Sequence, residues 1–114
     1  MKKLAILFAI LMMVASCKDK NPFLAEWNTP YGIPPFDQIK TEDYIPAIKE
    51  GIEQNKKEIE AIINNPEAPN FANTVEAFEF SGQLLAKVSG VLFNLAETDA
   101  DSTLNKVEDE VTSL

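Results

Sequence analysis

The chain has 114 residues, of which 46% are hydrophobic and 25% are charged, a composition typical of one small folded unit rather than a disordered tail. Its net charge of −8 and its lack of arginine exclude bidentate phosphate clamps, and we expect no nucleic-acid partner. A single cysteine and no histidine exclude an internal disulfide, a histidine-based zinc site and a serine-type catalytic triad.

The N-terminus has the pattern of a bacterial export signal. Two lysines precede an unbroken apolar run at residues 4–14, which is shorter than the roughly 20 residues that a membrane-spanning helix needs. The small residues Ala15 and Ser16 then precede Cys17, and this ending resembles the lipobox of bacterial lipoproteins. The resemblance predicts signal cleavage between Ser16 and Cys17, lipidation of the Cys17 sulfur, and a membrane-anchored protein of the bacterial cell envelope.

Two other interpretations of this segment stay open: an ordinary signal peptide with an incidental cysteine, and a buried free thiol. With the lipoprotein interpretation the chain divides into four parts. These are a lipoprotein signal peptide at residues 1–16, the lipidated cysteine with a short tether at 17–22, an extended strap at 23–40, and an incomplete N-terminal helical domain at 41–114.

The strap is rich in prolines and large apolar side chains. Prolines fix extended geometry and remove amide donors, so we expect a non-helical segment whose apolar groups anchor it on the helices. A proline-rich ligand of a small recognition domain is the alternative, although the spacing of these prolines does not match such ligands. The residues concerned are Pro22, Pro30, Pro34 and Pro35, with Phe23, Trp27, Tyr31, Ile33 and Phe36.

Hydrophobic periodicity predicts a helix over residues 43–64 and a second over 74–96. The link between them combines the helix-ending Asn64 and Pro66 with a predicted capping box of Asn73 and Glu76. The second helix contains Gly82 and Gly90, and their spacing predicts the close approach of another helix backbone.

A third helix is predicted after residues 97–101, with Asp99 or Asp101 as its cap. It reaches Leu114, an apolar position with no stop signal after it, and we expect that the helix is cut there. Acidic residues between Asp99 and Glu110 partly match a calcium loop. Leu104 stands where such a loop needs glycine, so a solvated helix start is favoured.

Several short motifs stand in a characteristic order between residues 21 and 93. They are Asn21-Pro22-Phe23, Pro30-Tyr31, Pro34-x-Phe36-Asp37-x-Ile39, Tyr44-x-Pro46-Ala47, Gly51, Glu58-Ile59-x-Ala61-Ile62, Asn65-Pro66-x-Ala68-Pro69-x-Phe71-x-Asn73-Thr74, and Ser81-Gly82-x-Leu84-Leu85-x-x-Val88. Together they resemble the N-terminal segment of bacterial peptidyl-dipeptidases, also called dipeptidyl carboxypeptidases, which are similar to thimet oligopeptidase.

The resemblance implies a nearly all-helical zinc metallopeptidase that releases dipeptides from the C-terminus of short peptides. In such enzymes zinc is held by His-Glu-x-x-His and a downstream glutamate, and none of these residues has a counterpart here, so we carry over no catalytic and no metal-binding residue. The resemblance assigns this chain to a supporting helical wall, inactive alone, whose partner is the remainder of the peptidase.

The sequence thus predicts an all-α fold: an antiparallel helical hairpin and the start of a third helix, preceded by the extended strap. A complete small helical lipoprotein that acts as a binding module is the alternative function.

Overall fold

A computed structural model describes residues 20–98 and 101–114, and this part of the chain is helical with no β-strand. We number its helices α1 (Tyr44–Ile63), α2 (Ala77–Glu79), α3 (Gln83–Thr98) and α4 (Ser102–Thr112). A π-helical turn, Phe71–Glu76, leads into α2, and short 3-10 turns occupy Pro22–Leu24, Pro30–Gly32 and Thr41–Asp43. The predicted all-α class is confirmed.

Helix α1 lies within one residue of its predicted bounds at both ends. Its start follows a turn in which the backbone amide of Lys40 donates to Asp43 Oδ2 at 2.8 Å. Its end is closed by Asn64, whose side-chain amide and backbone N–H both donate to the Glu60 carbonyl, at 2.8 and 2.9 Å. The Glu60 carbonyl therefore keeps its helical partner and accepts a second hydrogen bond from the Asn64 side chain, which closes the last turn of the helix.

The second helical region begins earlier than the sequence predicted, because a different asparagine caps it. Asn70 Oδ1 accepts from the Asn73 amide at 3.0 Å, and Asn73 Oδ1 accepts from the Asn70 amide at 2.8 Å. The predicted capping box of Asn73 and Glu76 is therefore wrong. Asn73 takes the third helical position instead, where it closes a reciprocal box with Asn70.

The predicted continuous helix over residues 74–96 is broken. Helix α2 ends at Glu79, and Gly82 has a φ of 70°, a left-handed conformation that glycine adopts without steric cost. Glu58 Oε2 of α1 accepts from the Gly82 amide at 2.7 Å, which fixes the turn against α1 just before α3 begins. Gly82 is thus a turn residue, and a Cβ there would lie 3.2 Å from the nearest atom of the Asn55 side chain on α1. A Cβ on Gly90 would have no atom outside its own helix backbone within 4 Å. The predicted close approach of another helix backbone at Gly82 and Gly90 is therefore wrong.

The close approach occurs at Gly51 of α1. A Cβ built there would lie 2.9 Å from Leu85 Cα and 3.0 Å from Leu85 N, so α1 and α3 meet backbone to backbone. One core runs along this contact and reaches both the strap and α4. Its buried members are Phe23, Tyr44, Ala47, Ile48, Val88, Val91, Leu92 and Leu104.

Helix α4 begins as predicted at Asp101, whose Oδ1 accepts from the amides of Thr103 and Leu104 at 2.8 and 2.7 Å. Asp99, the other predicted cap, lies outside the described residues. Leu104 is buried against the helical pair, in agreement with a helix start rather than a calcium loop. In the described part of the chain, no helix is both long enough and apolar enough to cross a membrane.

Candidate functional site

The sequence predicted one pair of site residues, Ser16 and Cys17, and both lie outside the described residues. The described chain begins just after them, where Asn21 contacts the start of α1. The side-chain amide of Asn21 donates to the Asp43 carbonyl at 2.7 Å, and its Oδ1 accepts from the Phe23 amide at 3.0 Å. Asn21 therefore joins the segment that follows Cys17 to the helical pair.

The first part of the strap is fixed by aromatic packing. Phe23 is 1% exposed, with its ring centroid 5.0 Å from that of Tyr44 and 6.2 Å from that of Trp27. The indole N–H of Trp27 donates to the Pro22 carbonyl at 3.0 Å, which folds the strap back on itself. The buried Phe23 and the half-buried Trp27 therefore anchor this part of the strap.

Lys87 of α3 clamps the same part of the strap. Its ammonium donates to the carbonyls of Phe23 and Ala25, both at 2.9 Å, and lies 4.1 Å from the centre of the Trp27 ring. Burial lowers the pKa of Lys87, and the carboxylate of Glu26 partly opposes that shift. The half-buried lysine is thus directed at backbone carbonyls and an aromatic ring, as in cation–π contacts.

The second half of the strap is buried only in part: Pro35 is buried and Ile39 packs against the core, while its other large side chains are exposed. Tyr31 is fully exposed, and Ile33 and Phe36 expose about half of their surface. Phe36 and Pro34 form one wall of an apolar groove of 430 Å³, whose other wall is the α3 surface around Val91 and Leu95. The expected anchoring of the strap therefore holds for its first half and, in the second half, for Pro35 and Ile39, while Tyr31, Ile33 and Phe36 present apolar surface to solvent.

A second exposed apolar surface lies around the end of α1. We call it the tip surface, and its side chains are between 54% and 73% exposed. It consists of Ile63, Phe71, Val75, Phe78 and Phe80. Such a set of large exposed side chains is typical of a surface that packs against further polypeptide.

An acidic groove of 740 Å³ is lined by the start of the strap and by the two long helices on which the strap packs. Its lining includes the exposed carboxylates of Glu26, Glu50 and Glu58, with Lys87 at one side. Exposed carboxylates are screened by water, so this groove offers surface charge rather than the desolvated acid and base that proton transfer requires.

The zinc implied by the resemblance does not fit the described residues. The whole sequence has no histidine, and no three Cys, Asp or Glu side chains of residues 20–98 and 101–114 lie together as metal ligands. A His-Glu-x-x-His site cannot be built from these donors.

These features define the class: an all-helical segment with two exposed apolar surfaces and a docked strap. No family model matches the chain. It is 43% identical over 89 residues to a dipeptidyl carboxypeptidase of Salmonella typhimurium, and 41% identical over 90 residues to a dipeptidyl carboxypeptidase of Escherichia coli. These matches cover 78% and 79% of this chain, and the chain covers 13% of the length of either relative. The resemblance predicted from the motifs is confirmed.

Proposed function

We propose that this chain is a non-catalytic helical segment of a zinc dipeptidyl carboxypeptidase that releases dipeptides from the C-terminus of short peptides. The similarity to the Salmonella typhimurium relative, 43% identity over 89 residues, carries the proposal. The segment supplies packing surface, and the zinc and its catalytic residues belong to another part of the enzyme. Short unstructured peptides are the substrates of that whole enzyme.

The exposed apolar surfaces support this role. Phe71 and Phe78 on the tip surface, and Phe36 on the strap, expose between 52% and 73% of their side chains. Burying the exposed part of such side chains against more polypeptide is favourable by about 1–2 kcal/mol each, so they form a natural contact with the body of a larger enzyme.

The length of the mature protein in the cell tests this proposal. We expect the reading frame to continue beyond Leu114 to a His-Glu-x-x-His motif, and the intact mass of the mature protein to correspond to that longer chain. A mature protein that consists of these residues alone would favour the alternative, a small helical lipoprotein that binds a partner through the tip surface.

We also propose that the protein is lipid-anchored in the bacterial cell envelope through Cys17. The lipobox-like ending of residues 1–17 supports this, and two or more acyl chains give stable attachment where one is marginal. Labelling with radioactive palmitate should mark the wild-type protein and should be lost in Cys17→Ser. A mature protein that carries no lipid and fractionates with the cytoplasm would contradict the anchor.

A further inference from the structure

The docked strap fixes the point at which a lipid anchor would hold the helices. Asn21 is bound to the Asp43 carbonyl at the start of α1, and Phe23, two residues later, is 1% exposed. The covalent path from the anchor to the folded body is therefore the short stretch from Cys17 to Asn21. Fully extended, this stretch spans at most about 14 Å, because each residue adds about 3.3–3.6 Å.

We propose that docking of the strap makes the start of α1, residues 41–43, the end of the helical pair that faces a phospholipid bilayer surface. The inference rests on the proposed lipid anchor at Cys17 and goes beyond it by assigning an orientation. The link at residues 64–70 then lies at the opposite end of α1, about 30 Å away for a helix of this length.

The clamp formed by Phe23, Trp27 and Lys87 maintains this orientation. While Lys87 donates to the Phe23 and Ala25 carbonyls, the strap cannot act as tether. If the strap detached, the tether would extend from Cys17 to Thr41 and could reach about 80 Å, which would leave the helices free to turn and move away from the membrane. The strap therefore sets the distance between membrane and helices as well as packing on them.

Energy transfer to the membrane measures this orientation directly. Glu42 and Glu67 are exposed glutamates near the two ends of α1, and lipidation blocks the thiol of Cys17. Any cysteine outside these 114 residues is first replaced by serine. The lipidated protein carrying Glu42→Cys or Glu67→Cys is labelled with a fluorophore and reconstituted into vesicles of phosphatidylethanolamine and phosphatidylglycerol with an acceptor on the headgroups. We expect at least about twofold higher transfer from position 42, because about 30 Å of helix separates the two positions.

Two further variants and one control variant test the role of the tether. Ten glycine and serine residues inserted between Lys20 and Asn21 leave every described contact in place, and this insertion should abolish the difference between positions 42 and 67. Lys87→Met should reduce the difference, whereas Lys57→Met, at an exposed lysine of α1, should leave it unchanged. Circular dichroism of each variant establishes that the helices are retained.

The outcomes distinguish this inference from the anchor on which it rests. Mass spectrometry that finds no lipid on Cys17 overturns the anchor and the orientation together. Lipid on Cys17 with equal transfer from positions 42 and 67, or with a difference that survives the insertion, overturns the orientation alone.

Discussion

Gly51 decides how closely the two long helices pack. Alanine in a helix interior is usually favoured over glycine by about 1 kcal/mol. At Gly51 the added Cβ would lie 2.9 Å from Leu85 Cα, and the backbone of α3 cannot yield as a flexible side chain would. The missing side chain at this position is therefore part of the interface.

Gly51→Ala should lower the free energy of unfolding by about 1–3 kcal/mol, the usual cost of overpacking a core. Gly90→Ala is the matched control in α3, because a Cβ there meets nothing within 4 Å, and it should raise stability by up to about 1 kcal/mol. Urea unfolding of the two variants measures both effects. Equal changes in stability would contradict the close contact at Gly51.

Tyr44 gives stability a specific dependence on pH. Burial raises the pKa of its hydroxyl above the ordinary value, and the carboxylate of Asp43 adds to the shift. The folded protein thus holds the hydroxyl proton of Tyr44 more tightly than the unfolded chain does. The contribution of Tyr44 to the free energy of unfolding is therefore complete below about pH 10 and is lost as the pH rises through the raised pKa.

The free energy of unfolding should therefore fall more steeply above pH 10 in the wild-type protein than in Tyr44→Phe. Lys87, whose pKa is lowered, acts in the opposite direction as the pH rises towards its ordinary value, and it is present in both proteins. Urea unfolding at pH 9 and pH 11 makes the comparison. The same loss of stability in both proteins would show that Tyr44 is not responsible.

At the scale of elements, the reciprocal contact of Asn70 and Asn73 starts the second helical region. Asn70→Ala should destabilise the protein by about 0.5–2 kcal/mol, the usual cost of losing an N-cap. Glu76→Ala should have little effect, since the cap that the sequence predicted there does not form. Thermal or urea unfolding measures the stability of the two variants. A larger loss of stability in Glu76→Ala than in Asn70→Ala would show that Asn73 and Glu76 form the cap instead.

The elements that the sequence predicts well are those with strong local signals. Helix α1 has apolar periodicity and an asparagine that ends it, and α4 has the Asp101 cap. The break at Gly82 is harder to predict because it depends on a tertiary contact: Glu58, on another helix, binds the Gly82 amide at 2.7 Å. Helix propensity alone allows a glycine at that position to stay helical.

The role of Lys87 also lies beyond local pattern. In the sequence it is one lysine on a helix, with nothing to show that strap carbonyls approach it. Only the folded structure brings the carbonyl oxygens of Phe23 and Ala25 to 2.9 Å from the Lys87 ammonium. The position of Gly51 carried a weak signal, because it follows Ala47 and Ile48 on the apolar side of α1, and a glycine there indicates close packing.

At the scale of the whole molecule, the family motifs predicted more about function than any individual catalytic or metal-binding side chain did. They correctly indicated dipeptidyl carboxypeptidases, while the described residues offer interaction surfaces and no metal donor set. Such motifs combine turn and packing residues, including Gly51, Asn73 and Gly82. They therefore specify how this segment folds, and under the proposed function the catalytic groups lie in another part of the enzyme.

A chimeric enzyme tests the central claim most directly. In the Escherichia coli relative, the stretch that is 41% identical over 90 residues is replaced by the corresponding stretch of this chain. Release of C-terminal dipeptides from a short peptide is then measured as kcat/KM. If this chain is a supporting segment, the chimera should remain within about tenfold of the parent, a loss of about 1.4 kcal/mol or less in transition-state stabilisation. A folded, zinc-loaded chimera that releases no dipeptide would contradict the account.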